Sequence, residues 1–164
     1  MFRSGNKLFP FLCLQLIACT LLLLSCDKID LYEKVVPIPK HEWQSSYKPE
    51  FSFQIKDTAV DYQVYLIVRH NNQYRYNNIW VNLTAKSPTD SSQTFKLELP
   101  LANKEGWLGS GMDDLFEHRV AFTLDPERFR FSRSGDYKFT LEQVMRDDPL
   151  EDVMNVGIRI EKKP

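Results

Sequence analysis

The chain has 164 residues, with 21 basic against 22 acidic side chains, a formal charge of −1, and only three cysteines and six glycines. Such a balance offers no basic footprint for nucleic acid or for anionic lipid. The glycines form no phosphate-cradling loop, and no segment is repeated or of low complexity.

Residues 1–25 read as a secretory signal peptide. A short basic region with Arg3 and Lys7 precedes an apolar run from Leu8 to Leu24, which ends in LLLLSC. A leucine three residues before a cysteine, with a small residue directly before it, is the pattern a lipoprotein signal peptidase reads. Leu23, Ser25 and Cys26 supply it. The run is also at the short limit of roughly 17–25 residues for a spanning helix, but the cysteine at its end favours cleavage and lipidation. Cys26 is then the lipid attachment site and the new N-terminus. Acyl chains of the palmitate type would hold the protein on the membrane, at roughly 0.8 kcal/mol per buried methylene. Cys13 and Cys19 leave with the signal, so the mature chain has no second cysteine for a disulfide. Loss of Arg3 and Lys7 takes the formal charge to about −3.

Residues 26–48 form the lipidated N-terminus, a tether and an extended lead-in, because Pro37 and Pro39 around Ile38 favour extended backbone and oppose helix. From residue 49 to 164 the pattern is alternation. FSFQIK, YQVYLIVRH, IWVNLTAK, TFKLELP, RVAFTL, DYKFTLEQV and VMNVGIRIEK each place apolar side chains at every second position. Turn-forming stretches, KDTAVD, KSPTDSS, FSRSGD and RDDPLED, separate them. GMDDLFEHR alone reads as a helical turn. Half-apolar strands with polar loops make antiparallel sheets with one face buried. The expected fold is an all-β, antiparallel two-sheet sandwich of seven to eight strands, with an open or closed barrel as the alternative.

No catalytic or cofactor-binding pattern is present. His41, His70 and His118 lie at no zinc-type spacing, and no G-x-S-x-G or H-E-x-x-H occurs. The expectation is a protein with no catalytic residues, no metal and no cofactor. Two acidic clusters, Asp113–Asp114–Glu117 and Asp147–Asp148–Glu151–Asp152, gather the hard oxygen ligands that a calcium loop uses. Neither matches the EF-hand pattern, and solvated turn residues are the simpler reading.

The aromatic side chains are the remaining resource, because rigid rings bury area at little entropic cost. Trp43, Trp80 and Trp107, with Tyr65, Tyr74 and Tyr76, are candidates for a stacking surface. Trp80 is out of phase with Ile79, Val81, Leu83 and Ala85, so it points away from the core. If residues 62–70 and 79–86 form a hairpin with His70 opposite Ile79, Arg69 faces Trp80 on the outer side. The tip of that hairpin is the loop from Asn71 to Asn78.

RHNNQYRYNNIW, GWLGSGMDD and QVMRDDPLEDVMNVGIRIEK, together with Tyr32–Glu33–Lys34 shortly after the cysteine and Trp43, resemble the GldH family of gliding-motility lipoproteins of the Bacteroidetes. The resemblance runs along the whole chain. It implies an envelope lipoprotein that meets protein partners in the gliding apparatus and its associated secretion system, with no enzymatic activity. The family's DVG triplet reads Asn155–Val156–Gly157 here, which removes a carboxylate from that position. The candidate interaction surface is Arg69, Tyr74, Tyr76, Trp80, Trp107, Arg146, Asp147 and Asp148. The alternative is a carbohydrate-binding sandwich lipoprotein that uses the same aromatics on a glycan. The outer membrane is the expected location, and the mixed CDKID sequence assigns no leaflet.

Overall fold

The computed structural model describes residues 31–89, 91–122 and 130–163. The signal peptide, Cys26 and the tether through residue 30 lie outside the described residues, as does Leu124 of the RVAFTL alternation. In chain order the strands are β1 (Leu31–Pro37), β2 (Glu42–Trp43), β3 (Glu50–Ile55), β4 (Tyr62–Asn71), β5 (Asn78–Lys86), β6 (Ser92–Pro100), β7 (Ala102–Asn103), β8 (Gly106–Trp107), β9 (Ser110–Met112), β10 (Leu115–Phe122), β11 (Gly135–Gln143), β12 (Leu150–Glu151) and β13 (Val153–Lys162). A five-stranded antiparallel sheet runs β1-β13-β4-β10-β9, and a four-stranded one runs β3-β11-β5-β6. The small ribbons β12-β2 and β7-β8 close one end.

Each of the seven alternating segments forms a strand over its described residues, and the alternation places most of its apolar side chains inside; in β13 a register shift between Val153 and Asn155 buries Val153 and leaves Met154 outside the core cluster. From the larger sheet Val64, Leu66, Val68, Val156, Ile158 and Ile160 enter the core. From the smaller one Phe51, Phe53, Ile79, Val81, Leu83, Phe139 and Leu141 meet them in a single cluster. β1 is not merely a lead-in: Leu31 to Pro37 pair with β13 from Glu161 to Asn155, forming an edge of the larger sheet. Beyond it Ile38 stays extended, and Pro39–His41 make one 3₁₀ turn before β2.

Two expectations fail. GMDDLFEHR is not a helical turn but the hairpin β9–β10, with Met112 opposite Leu115. Its two turn residues, Asp113 and Asp114, have φ of 51° and 64°. Consecutive positive φ values mark a type I′ turn, whose twist matches that of the strands it joins. Second, β4 and β5 do not form a hairpin. β4 pairs with β13 and β10, and β5 pairs with β11 and β6. Their connection crosses from one sheet to the other. Val68 and Val81 both face the core, but from opposite sides of it.

Candidate functional site

The crossing separates two residues that a hairpin would have stacked. Arg69 lies on the outer face of the larger sheet, 2.6 Å from Glu117. Trp80 lies on the outer face of the smaller sheet, with the Lys96 ammonium 5.1 Å from its ring centroid. The outward phase of Trp80 is as expected, since β5 alternates half-buried and buried from Asn78 on. Its cation is a cross-strand neighbour on β6 rather than Arg69. Burial pushes Glu117 up, but hydrogen bonds and charge from Arg69 and Arg119 outweigh it and hold the carboxyl below its ordinary value.

At one end of the sandwich the 72–77 connection meets the 144–149 turn, and this juxtaposition builds the site. The Tyr76 hydroxyl donates to Asp147 Oδ2 at 2.5 Å. Arg75 reaches Asp147 at 3.4 Å and Glu151 at 3.1 Å. Asn71 Nδ2 donates to Asp152 at 2.8 Å. Buried Gln143 anchors the turn from below: it donates to the carbonyls of Trp43 and Asp147 and accepts from the Met145 amide. Asp148 accepts from both the Ser45 amide and the Ser45 hydroxyl. The Ser45 bonds hold the Asp148 carboxyl below its usual range, and the bond to Asp147 holds the Tyr76 phenol above its own. Arg146 is exposed beside them. Every carboxylate of the second acidic cluster is thus engaged by a side chain. Among the described residues no three metal-ligating side chains converge.

Tyr74 and Trp43 leave the list of surface rings. Tyr74 is 4% exposed, and its hydroxyl donates to the Asn78 carbonyl at 2.9 Å. Burial holds its phenol far above the usual range. Trp43 is fully buried, with its indole N–H on the Tyr47 carbonyl at 2.9 Å. Trp107 is half-buried. Its ring lies 4.3 Å from that of His70 and 5.6 Å from that of Phe116, and Nε1 faces Asn72 Oδ1 at 3.4 Å.

Under Trp107 sits a pair that spacing in the sequence does not reveal. His70 and His118 are buried, with their Nε2 atoms 2.8 Å apart. His70 Nδ1 lies 2.7 Å from the Asn71 carbonyl, which can only accept. With both rings neutral, the state that burial favours, His70 Nε2 accepts from His118 Nε2–H. Burial drives His118 down to about 4, and the neighbouring His70 adds to this. Burial also lowers His70. The available clue was phase: His70 continues Val64, Leu66 and Val68, and His118 precedes Val120 and Phe122 on the inward face.

The arrangement ties side chains of three segments together at a loop end. In comparisons with known proteins, the model of the GldH lipoprotein family matches residues 30–160. A gliding motility lipoprotein GldH homolog of Christiangramia forsetii is 32% identical over 168 residues, covering 98% of each chain. The gliding motility lipoprotein GldH of Flavobacterium johnsoniae is 28% identical over 156 residues, covering 90% of this chain and 94% of its own. Among solved structures, a carbohydrate-binding module specific for non-crystalline cellulose overlaps 80% of this chain and 73% of its own, with a TM-score of 0.49 and 12% identity.

Proposed function

The chain belongs to the GldH lipoprotein family, and on that premise we propose that it is a non-catalytic, lipid-anchored envelope component of the gliding machinery that works through protein contacts at the loop end of its sandwich. The observation that carries this reading is the junction of the two most distinctive segments, RHNNQYRYNNIW and MRDDPLED, through Tyr76–Asp147 and Arg75–Glu151. A network that fixes two loops against each other gives a partner a preorganised surface and lowers the entropy lost on contact.

The position of the anchor supports the same end. β1 starts at Leu31, five residues after Cys26, and pairs there with Glu161 at the end of the larger sheet opposite the loops. β4 has ten residues, and at about 3.3 Å per residue it spans roughly 30 Å. With Cys26 lipidated, the loop end stands about that far from the anchored end, where a partner has free access. Tyr76, Trp107, Arg146, Asp147 and Asp148 form the contact surface. Arg69 and Trp80 lie on the outer faces of separate sheets, Trp80 with its backbone bonded to Val144 and Met145 of the turn.

The test is affinity purification from detergent-solubilised membranes, with colony spreading scored in parallel. Arg146→Glu and Tyr76→Ala, at wild-type protein level and melting temperature, should lose co-purifying proteins and reduce spreading. An unchanged partner set with unchanged spreading would overturn the assignment.

A further inference from the structure

We propose that the free edge of β9 takes an added strand from a partner protein: an extended segment with apolar side chains at alternate positions and a lysine or arginine beside the Asp113–Asp114 turn. This names the partner chemistry for the loop end and rests on that reading. β9 closes the five-stranded sheet, with β10 on one side and no strand on the other among the described residues.

The hairpin fixes which groups are free. In a two-residue I′ hairpin the closing pair, here Met112 and Leu115, exchanges both backbone hydrogen bonds. The next pair, Gly111 and Phe116, is the non-bonded kind, so Gly111 turns its N–H and C=O outward along the free edge. The strand is also held in shape. A Cβ on Gly109 would lie 2.4 Å from the Glu117 carbonyl oxygen, and one on Gly111 would lie 2.7 Å from the Phe116 ring. The chain therefore lies flush against β10 and needs no ordering before it pairs.

Other edges in the structure carry the usual protection against strand addition, charge and proline. β1 has Glu33, Lys34 and Pro37, β3 has Glu50 with Lys48 and Lys56 beside it, and β6 has Lys96, Glu98 and Pro100. Within its own span Ser110–Gly111–Met112 has neither, and the charges beside it are the two aspartates of its turn. Exposed apolar side chains gather at the same place. Leu108 is 53% exposed, Met112 78% and Leu115 37%, and Tyr47 is the one other large exposed hydrophobic among the described residues. An added strand covers Met112 and Leu108 while it hydrogen-bonds Gly111.

Charge decides the occupant. Glu117 in this hairpin is held by Arg69 and Arg119, whereas Asp113 and Asp114 have no ion pair among the described residues. A second copy of this chain brings the same uncompensated acidic turn. A basic extended segment of another protein complements it.

The experiment measures amide exchange at Gly111 in the mature chain in detergent, with three synthetic peptides of alternating threonine and valine. One ends in two lysines, one ends in two glutamates, and one carries a central proline before the lysines. The lysine peptide should slow Gly111 exchange at least tenfold, and the other two should not. Ser110→Lys with Met112→Lys should abolish the effect, and Asp113→Asn with Asp114→Asn should weaken binding several-fold while preserving the turn. Equal protection by lysine and glutamate peptides, none by the lysine peptide, or binding indifferent to the lysine substitutions would overturn the proposal. Concentration-dependent protection without peptide would do so as well, in favour of self-association. If Arg146→Glu loses its membrane partners while the Ser110→Lys, Met112→Lys protein keeps them, the edge proposal fails and the loop-end reading survives.

Discussion

A proton added to the buried His70–His118 pair finds no anion in contact with either ring among the described residues. The groups facing the pair are the Asn71 carbonyl, the Tyr74, Phe116 and Trp107 rings and, further off, Asp152. Both imidazoles sit below the unfolded value near 6.5, so the unfolded chain binds protons that the native one refuses. The stability is full above about pH 6.5 and falls as the pH drops towards 4, by at most about 1.4 kcal/mol per pH unit for each proton. Melting temperatures of the purified protein should be flat between pH 8 and 7 and fall through that window, and His118→Gln should flatten the fall. Glu117, Asp148, Glu142 and Glu161 are held low instead, so their contribution is lost only below about pH 4.5 and is separable. Tyr32 gives a second prediction. Its hydroxyl is buried without a hydrogen-bond partner among the described residues, and the residue borders a cavity of about 360 Å³ at the end where β1 begins, with Phe53, Ile55, Tyr62 and Ile160. Removing an unsatisfied polar atom costs nothing and saves its desolvation, so Tyr32→Phe should leave urea stability unchanged or raise it by up to about 1 kcal/mol.

Among the elements, the crossing between β4 and β5 carries the main lesson. Alternation states which side chains of a strand are buried, but not which strand is its neighbour. A hairpin and a sheet-to-sheet crossing bury the same Val64, Leu66, Val68, Val81 and Leu83. The six residues 72–77 are more than the two that the tightest hairpins use, and they bridge the roughly 10 Å between packed sheets. The neighbour is decided by β13, at the far end of the chain, which lies against β4 from Val153 to Lys162. The same limit explains the tryptophans. Trp80 lies in a long alternating segment, and its phase gives its direction. Trp43 lies in a two-residue strand, where no phase can be read. Trp43→Ala should therefore cost about 3–5 kcal/mol in denaturant unfolding. Trp80→Ala, which gives up one exposed cation–ring contact, should cost about 1 kcal/mol or less.

The whole molecule has a polarity that follows from its first strand. β1 begins at the end farthest from the Tyr76–Asp147 junction, so a lipid on the residues just before it would separate the proposed anchor from the proposed contact surface by the length of the sheet. Cys26→Ala should move the protein from the membrane to the soluble fraction and abolish incorporation of labelled palmitate, while the melting temperature of the domain stays as it was. Retention on the membrane would remove the basis for this polarity. The amino-acid pattern by itself determined the all-β class, the seven main strands and the outward direction of Trp80, because each depends on residues close together in the chain. Only the tertiary structure decided that β4 and β5 belong to different sheets, that His70 meets His118, that Tyr76 meets Asp147, and that Ser110–Met112 is left as an open edge. Those facts depend on pairing between segments tens of residues apart, which is fixed by the closing of one shared core and not by local propensity.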